Sequence, residues 1–156
     1  MSKAAKGALL GRLQSAARQS RTALASRLTQ NGLYAGQDQV MIALSEADGQ
    51  TPGNLAARLG VRPPTITKTI NRLQAQGFLE RRSSEADSRQ AHIFLTDSGR
   101  EAIRAIEKSL RKTEKQALRG LDKKEQKALG KMLSRIEANL NGAELPPDGE
   151  FEEAEE

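Results

Sequence analysis

The strongest constraint on the fold is a change of period at Gly77. Before it, apolar residues recur at three- and four-residue steps. After it, Phe78-Leu79-Glu80-Arg81-Arg82 and then Gln90 to Leu95 read as extended chain, with the polar turn Ser83 to Arg89 between them. Two strands joined by a basic loop make a hairpin. The two segments upstream read as short helices. Thr51-Pro52 supplies an N-cap followed by proline at the first helical position, and the helix passes through Leu55, Ala56 and Leu59 to stop at Gly60. Pro63 and Pro64 open the next one, which carries Ile66, Ile70 and Leu73 on one face and ends at Gly77, where glycine tolerates a left-handed stop. Two short helices about a turn apart, followed by a hairpin, describe a helix-turn-helix with a two-stranded wing.

Helical spacing continues on both sides. Leu9, Leu10, Leu13, Ala16, Ala17, Leu24 and Leu28 alternate with Arg12, Arg18, Arg21 and Arg27 as far as Asn31-Gly32. Asp38 opens a short buried helix through Val40, Met41, Ile42 and Leu44, closed by Asp48-Gly49. Thr96 caps a long helix with Ala102, Ile103, Ile106, Leu110, Ala117 and Leu118 at helical spacing up to Gly120. Asp122 and Glu125 form a capping box for a last helix bearing Leu129, Met132, Leu133, Ile136 and Leu140. With aromatics at 3%, the core of this 156-residue chain rests on Leu, Ile, Val and Ala. The length suits one folding unit, mainly α with a small β element (α+β). Its regions are a first helix in 1–37, the helix-turn-helix with its wing in 38–96, two helices in 97–141 and an acidic tail in 142–156 that reads as disordered.

A reading head spanning Asp38 to Thr96 is too small to cover the stripes of the first and last helices. Such stripes pair with their own copy about a two-fold axis. This places Leu9, Leu10, Leu13, Leu118, Leu121, Leu129, Met132, Leu133 and Ile136 at a homodimer interface. The alternative is that Leu110, Leu118, Leu133 and Ile136 form core within one subunit.

The formal charge of +5 hides a division. Seven of the 20 acids lie beyond Gly142 with no base among them, leaving 25 bases against 13 acids in a body of +12. Such a body attracts polyanions, nucleic acid or an anionic membrane surface. The absence of cysteine excludes disulfides, thiolate metal sites and a Cys nucleophile, and the single His92 excludes a multi-His metal site. A lone histidine in a strand reads as packing. No Gly-rich phosphate loop, paired catalytic carboxylates or nucleophile elbow is present, so no catalytic residue, cofactor or metal is assigned and the chain reads as a non-enzyme. No run approaches the roughly 20 apolar residues of a membrane span, and Arg12 cuts short the apolar stretch from Ala8. Residues 1–37 lack acids and weakly mimic a presequence, but their regular apolar spacing favours a helix of the mature fold. A cytoplasmic location and no membrane partner are expected.

Opposite the apolar face of the helix from Pro63 lie Thr65, Lys68, Asn71 and Arg72, with Thr67 beside them. A helix fits the major groove of duplex DNA. The threonines suit phosphates or a thymine methyl, Lys68 and Arg72 suit phosphates or guanine, and Asn71 has the donor and acceptor to bridge adenine. Arg62, Pro63 and Pro64 complete this recognition set. In the wing, a guanidinium at the tip can enter the minor groove, and Arg89 is best placed, with Asp87 able to accept from it and hold its direction. Arg82, Ser88 and Gln90 flank it. The same residues would suit a solvated helix face and a surface ion pair, and the pairing of helix with wing favours DNA.

The run Asp87-Ser88-Arg89, then Leu95-Thr96 with Gly99, placed after Leu73 and Gly77-Phe78-Leu79-Glu80-Arg81, resembles the signature of MarR-family transcription regulators. The resemblance extends from about Leu9 to Leu140. It implies a winged-helix homodimer, a recognition helix starting at Thr65, a minor-groove role for Arg89, and dimerisation through the first and last two helices. It also implies repression from a pseudo-palindromic operator, and a small aromatic or phenolic ligand between reading heads and dimer helices. A sequence-independent architectural DNA binder and a winged-helix protein-interaction module are the alternatives.

Overall fold

Within residues 5–83 and 90–142, the part of the chain that this computed structural model describes, the elements run α1 (Ala8–Thr29), α2 (Gln37–Glu46), α3 (Pro52–Leu59), α4 (Pro63–Ala75), β1 (Leu79–Ser83), β2 (Ala91–Leu95), α5 (Asp97–Ala117) and α6 (Lys123–Leu140). Residues 84–89, hence Asp87, Ser88 and Arg89, lie outside the described residues, as does the acidic tail from Ala143.

Local chemistry sets the helix starts. Thr51 Oγ1 accepts from the Asn54 N–H at 3.1 Å ahead of Pro52. Thr96 Oγ1 accepts from the Gly99 N–H at 3.0 Å and donates to the Gly77 carbonyl at 2.6 Å, so one hydroxyl caps α5 and ties it to the end of the recognition segment. The Asp122–Glu125 capping box forms in both directions. α2 departs from expectation by one step. It starts at Gln37 after Gly36, which adopts φ 88°, so Asp38 sits inside the first turn rather than opening it.

The described residues fall into two units, one through Ala117 and one from Leu118 to Gly142. The first has a continuous core. Leu28 and Leu33, Met41 and Leu44, Leu55, Ile66, Ile70 and Leu73, Ile93 and Ile106 are all fully buried, drawn from every helix of the unit and from β2. α1 packs along α5, α3 against α4, and α2 against both α5 and β2. β1 and β2 pair antiparallel, with Leu79 opposite Leu95, Arg81 opposite Ile93 and Arg82 opposite His92. A bridge that the sequence pattern did not foretell adds Gln50 to this sheet: the Ile93 N–H donates to the Gln50 carbonyl at 2.8 Å. His92 belongs to the same seam, its Nδ1 donating to the Gly49 carbonyl at 2.9 Å.

α6 buries none of its residues. Met132 and Leu133 are exposed and Leu129 and Ile136 half-buried, as are Leu118 and Leu121 ahead of it. α1 is divided along its length. Its C-terminal Leu24 and Leu28 join the core, while Leu9 is 83% and Leu10 56% exposed and Leu13 is half-buried. No helix among the described residues is long and apolar enough to cross a membrane.

Candidate nucleic-acid interface

α4 has two chemically distinct faces. Ile66, Ile70 and Leu73 are buried, and Thr65, Thr67, Lys68, Asn71 and Arg72 are exposed, as are Arg62, Pro63 and Pro64 at the helix start. The side chains of Arg62, Thr65, Thr67, Lys68 and Arg72 make no hydrogen bond or ion pair to another described residue. Their donors are therefore available to an outside acceptor. Pro63 and Pro64 have no N–H, and the Thr65 N–H is taken by the Arg62 carbonyl at 3.0 Å. The backbone amides that commonly hold phosphate at a helix N-terminus are thus largely missing here, so recognition falls to side chains. α3 is fixed across α4 by the turn at Gly60, which adopts φ 63°. Gln37, 3% exposed, anchors the other end: its Nε2 donates to Gln76 Oε1 at 2.9 Å, and Gln76 Nε2 donates to the Gly32 carbonyl at 2.7 Å.

Strand alternation separates the arginines of the hairpin. Leu79 and Leu95 lie on the core face, so Arg81, two residues on from Leu79, lies on that face too, where the strand runs out past the core. There its Nη2 donates to Asn71 Oδ1 at 2.5 Å. Arg82 points the other way. It pairs with Glu80 and stacks over the Phe94 ring at 4.4 Å, so its charge is already answered within the hairpin. Gln90 is exposed at the foot of the wing. The structure thus gathers the recognition-helix set on one surface and adds Arg81, which sequence reasoning did not single out. Its parity with Leu79 was the signal that could have found it.

A groove of about 530 Å³ opens beside this head, lined by Leu24 of α1, Asp38, Ile42 and Glu46 of α2, Arg58 of α3 and Leu110 of α5. Arg58 is ion-paired with Glu46. Asp38 is buried, and loss of hydration pushes its carboxyl above the ordinary value, against the lowering effect of the backbone N–H groups of Asp38, Gln39 and Gly36.

A sequence model of the MarR family matches residues 37–90, which span α2 to the foot of the wing. An HTH-type transcriptional regulator of Bacillus subtilis is 26% identical over 72% of this chain and 69% of its own length. One of Mycobacterium leprae is 32% identical over 53% of this chain and 58% of its own, so the chain spans less than two thirds of that relative. Among solved structures, a mutant MarR from Escherichia coli complexed with operator DNA superposes with a TM-score of 0.74 at 23% identity, covering 81% of this chain and 92% of that one.

Proposed function

We propose that this chain, a MarR-family winged-helix transcriptional regulator by its match over residues 37–90 and its likeness to HTH-type regulators, binds a pseudo-palindromic operator in duplex DNA as a homodimer and represses transcription by occluding a promoter. The observation that carries this reading is the exposed face of α4. Two hydroxyls and three cations stand there with no partner among the described residues, on a helix whose opposite face is locked into the core. Such a helix enters the major groove with its position already set. Arg89 in the wing is the minor-groove contact of this proposal, as the sequence resemblance implies. The stripes of α1 and α6 supply the two-fold contact, and half-sites lie about one helical turn, roughly 34 Å, apart.

The groove between α1, α2, α3 and α5 supports a small, largely apolar, aromatic or phenolic effector whose hydroxyl would meet the Asp38 or Glu46 carboxyl. A ligand that favours one head spacing over another changes operator affinity by its differential affinity for the two spacings.

Fluorescence anisotropy on duplexes tiling the upstream intergenic region, against scrambled duplexes in a salt series, tests the central proposal. A tile bound about a thousandfold tighter than scramble is the expected result. Equal binding with a steep salt slope would replace it with an architectural role. Absence of binding would point to a protein-interaction module.

A further inference from the structure

Asparagine on a recognition helix suggests adenine, because its carboxamide oxygen accepts from N6 while its nitrogen donates to N7. Asn71 is held otherwise. Its Oδ1 accepts from Arg81 Nη2 at 2.5 Å, so the half of the amide that adenine needs as an acceptor is turned to the wing. What remains free is the NH₂ of Asn71 and the other guanidinium N–H groups of Arg81, which makes no ion pair among the described residues. Asn71 Oδ1 keeps a second lone pair, but with its first taken by Arg81 the asparagine and arginine together present mostly donors.

Position in the fold selects the acceptor. Asn71 lies eight residues beyond Pro63, more than two turns into α4, whereas base contacts of such helices come from their N-terminal residues. Arg81 stands at the base of the wing, two residues along β1 from the buried Leu79. The pair thus occupies the seam between the element bound for the major groove and the element bound for the minor groove. What runs between adjacent grooves is the sugar-phosphate backbone. Resting on the operator-binding reading above, we propose that Asn71 and Arg81 form a donor-rich clamp on the phosphate strand between the two grooves, and that Asn71 does not read adenine. Arg81 supplies the charge. Asn71 supplies one donor and, through Oδ1, the orientation of the guanidinium. The clamp also couples α4 to the wing, so both heads meet the DNA in one fixed register.

The test measures DNA affinity, salt dependence and base preference for the full chain and for Asn71→Ala, Arg81→Gln and Arg81→Lys. Base preference is read by selection from a randomised duplex library. Both residues are exposed, and thermal melting verifies that each variant folds. Arg81→Gln is expected to weaken every duplex alike, to lower the salt slope by about one phosphate contact, and to leave the selected consensus unchanged. Arg81→Lys is expected to keep the slope but lose affinity, because an ammonium cannot hold Oδ1 and phosphate in one plane. Asn71→Ala is expected to weaken specific and scrambled duplexes by the same factor. A consensus that relaxes at one base pair in Asn71→Ala would overturn the proposal and restore the adenine reading. An unchanged salt slope in Arg81→Gln would overturn the clamp. If the unmodified chain shows no preferred sequence, the operator reading fails by itself, and the slope of Arg81→Gln on any duplex still decides whether Arg81 touches phosphate.

Discussion

The helix-turn-helix with its hairpin and the terminal helices solve the same problem in opposite ways. In the head, Ile66, Ile70, Leu73, Leu79, Ile93 and Leu95 are buried by neighbours in the same chain. In α6 and the first turns of α1, residues of similar size and spacing stay in water: Met132 is 57% exposed and Leu9 83%. α4 in the head and the terminal helices α1 and α6 are all amphipathic in sequence, so periodicity marks an apolar face but not what covers it. The head shares one core with Leu28 of α1 and Ile106 of α5, and that shared core can hold a reading surface still. Each stripe leaves apolar side chains in water, and exposed apolar faces of this kind are what a second copy would bury.

Truncation should separate the regions most sharply. Ile70→Ala removes a fully buried side chain from the core-facing side of α4 and should lower stability by about 2–5 kcal/mol. Chemical denaturation followed by circular dichroism gives that loss. A value within about 0.5 kcal/mol, typical of a surface site, would erase the contrast. Gly99→Ala probes the head through backbone. A Cβ there would lie 2.2 Å from the Phe78 carbonyl oxygen, in the first turn of α5. The carbonyl accepts from the Thr96 N–H at 3.1 Å and cannot yield without losing that bond. Overpacking of about 1–3 kcal/mol is expected in the same assay, and an unchanged midpoint would show that α5 can shift away.

Much of this was legible because it depends on neighbours in sequence. Thr51, Thr96 and the Asp122–Glu125 pair cap the helices they were assigned to, and the division of α4 into buried and exposed faces follows from its period. What escaped depends on distant partners. Gln50 joins the sheet although nothing around it alternates, because Ile93 needs a carbonyl on its free edge. Gln37 becomes buried because Gln76 satisfies its amide from the far side of the head. Asn71, read alone, has the groups to bridge adenine, and the partner that the hairpin register sets against its Oδ1, Arg81, is not visible in that reading. Pairings separated by ten to 40 or more residues leave no trace in a local pattern.

Substitution in the stripes should sharpen the comparison at a middle scale. Met132→Glu sets a charge on the exposed apolar face of α6. If that face is the two-fold contact, the dimer dissociation constant rises roughly thirtyfold, the equivalent of about 2 kcal/mol for a well-packed interface residue. The folded head should melt unchanged in the monomer. Sedimentation velocity over a concentration series reads the association directly. A protein that sediments as a monomer before the change, or as the same dimer after it, would return α6 to the category of solvated helices.

The smallest expected effect belongs to Asp38, where the head packs tightly enough to bury a carboxyl. Asp38 is 8% exposed, and burial raises its pKa above the ordinary value of 3.8 despite the backbone N–H groups that favour the charged form. A raised acid binds its proton more tightly in the folded state than in the unfolded one. Its contribution to stability is therefore complete below 3.8 and declines as pH rises through the folded value. Asp38→Asn keeps the shape and an accepting oxygen but has no proton to lose. Its denaturation midpoint should fall less than that of the unmodified chain between roughly pH 3 and 7, with the two curves parting above 3.8. Parallel curves would mean that the carboxyl is as well stabilised in α2 as in water. The groove beside it would then offer an effector an ordinary solvated anion instead of a desolvated one.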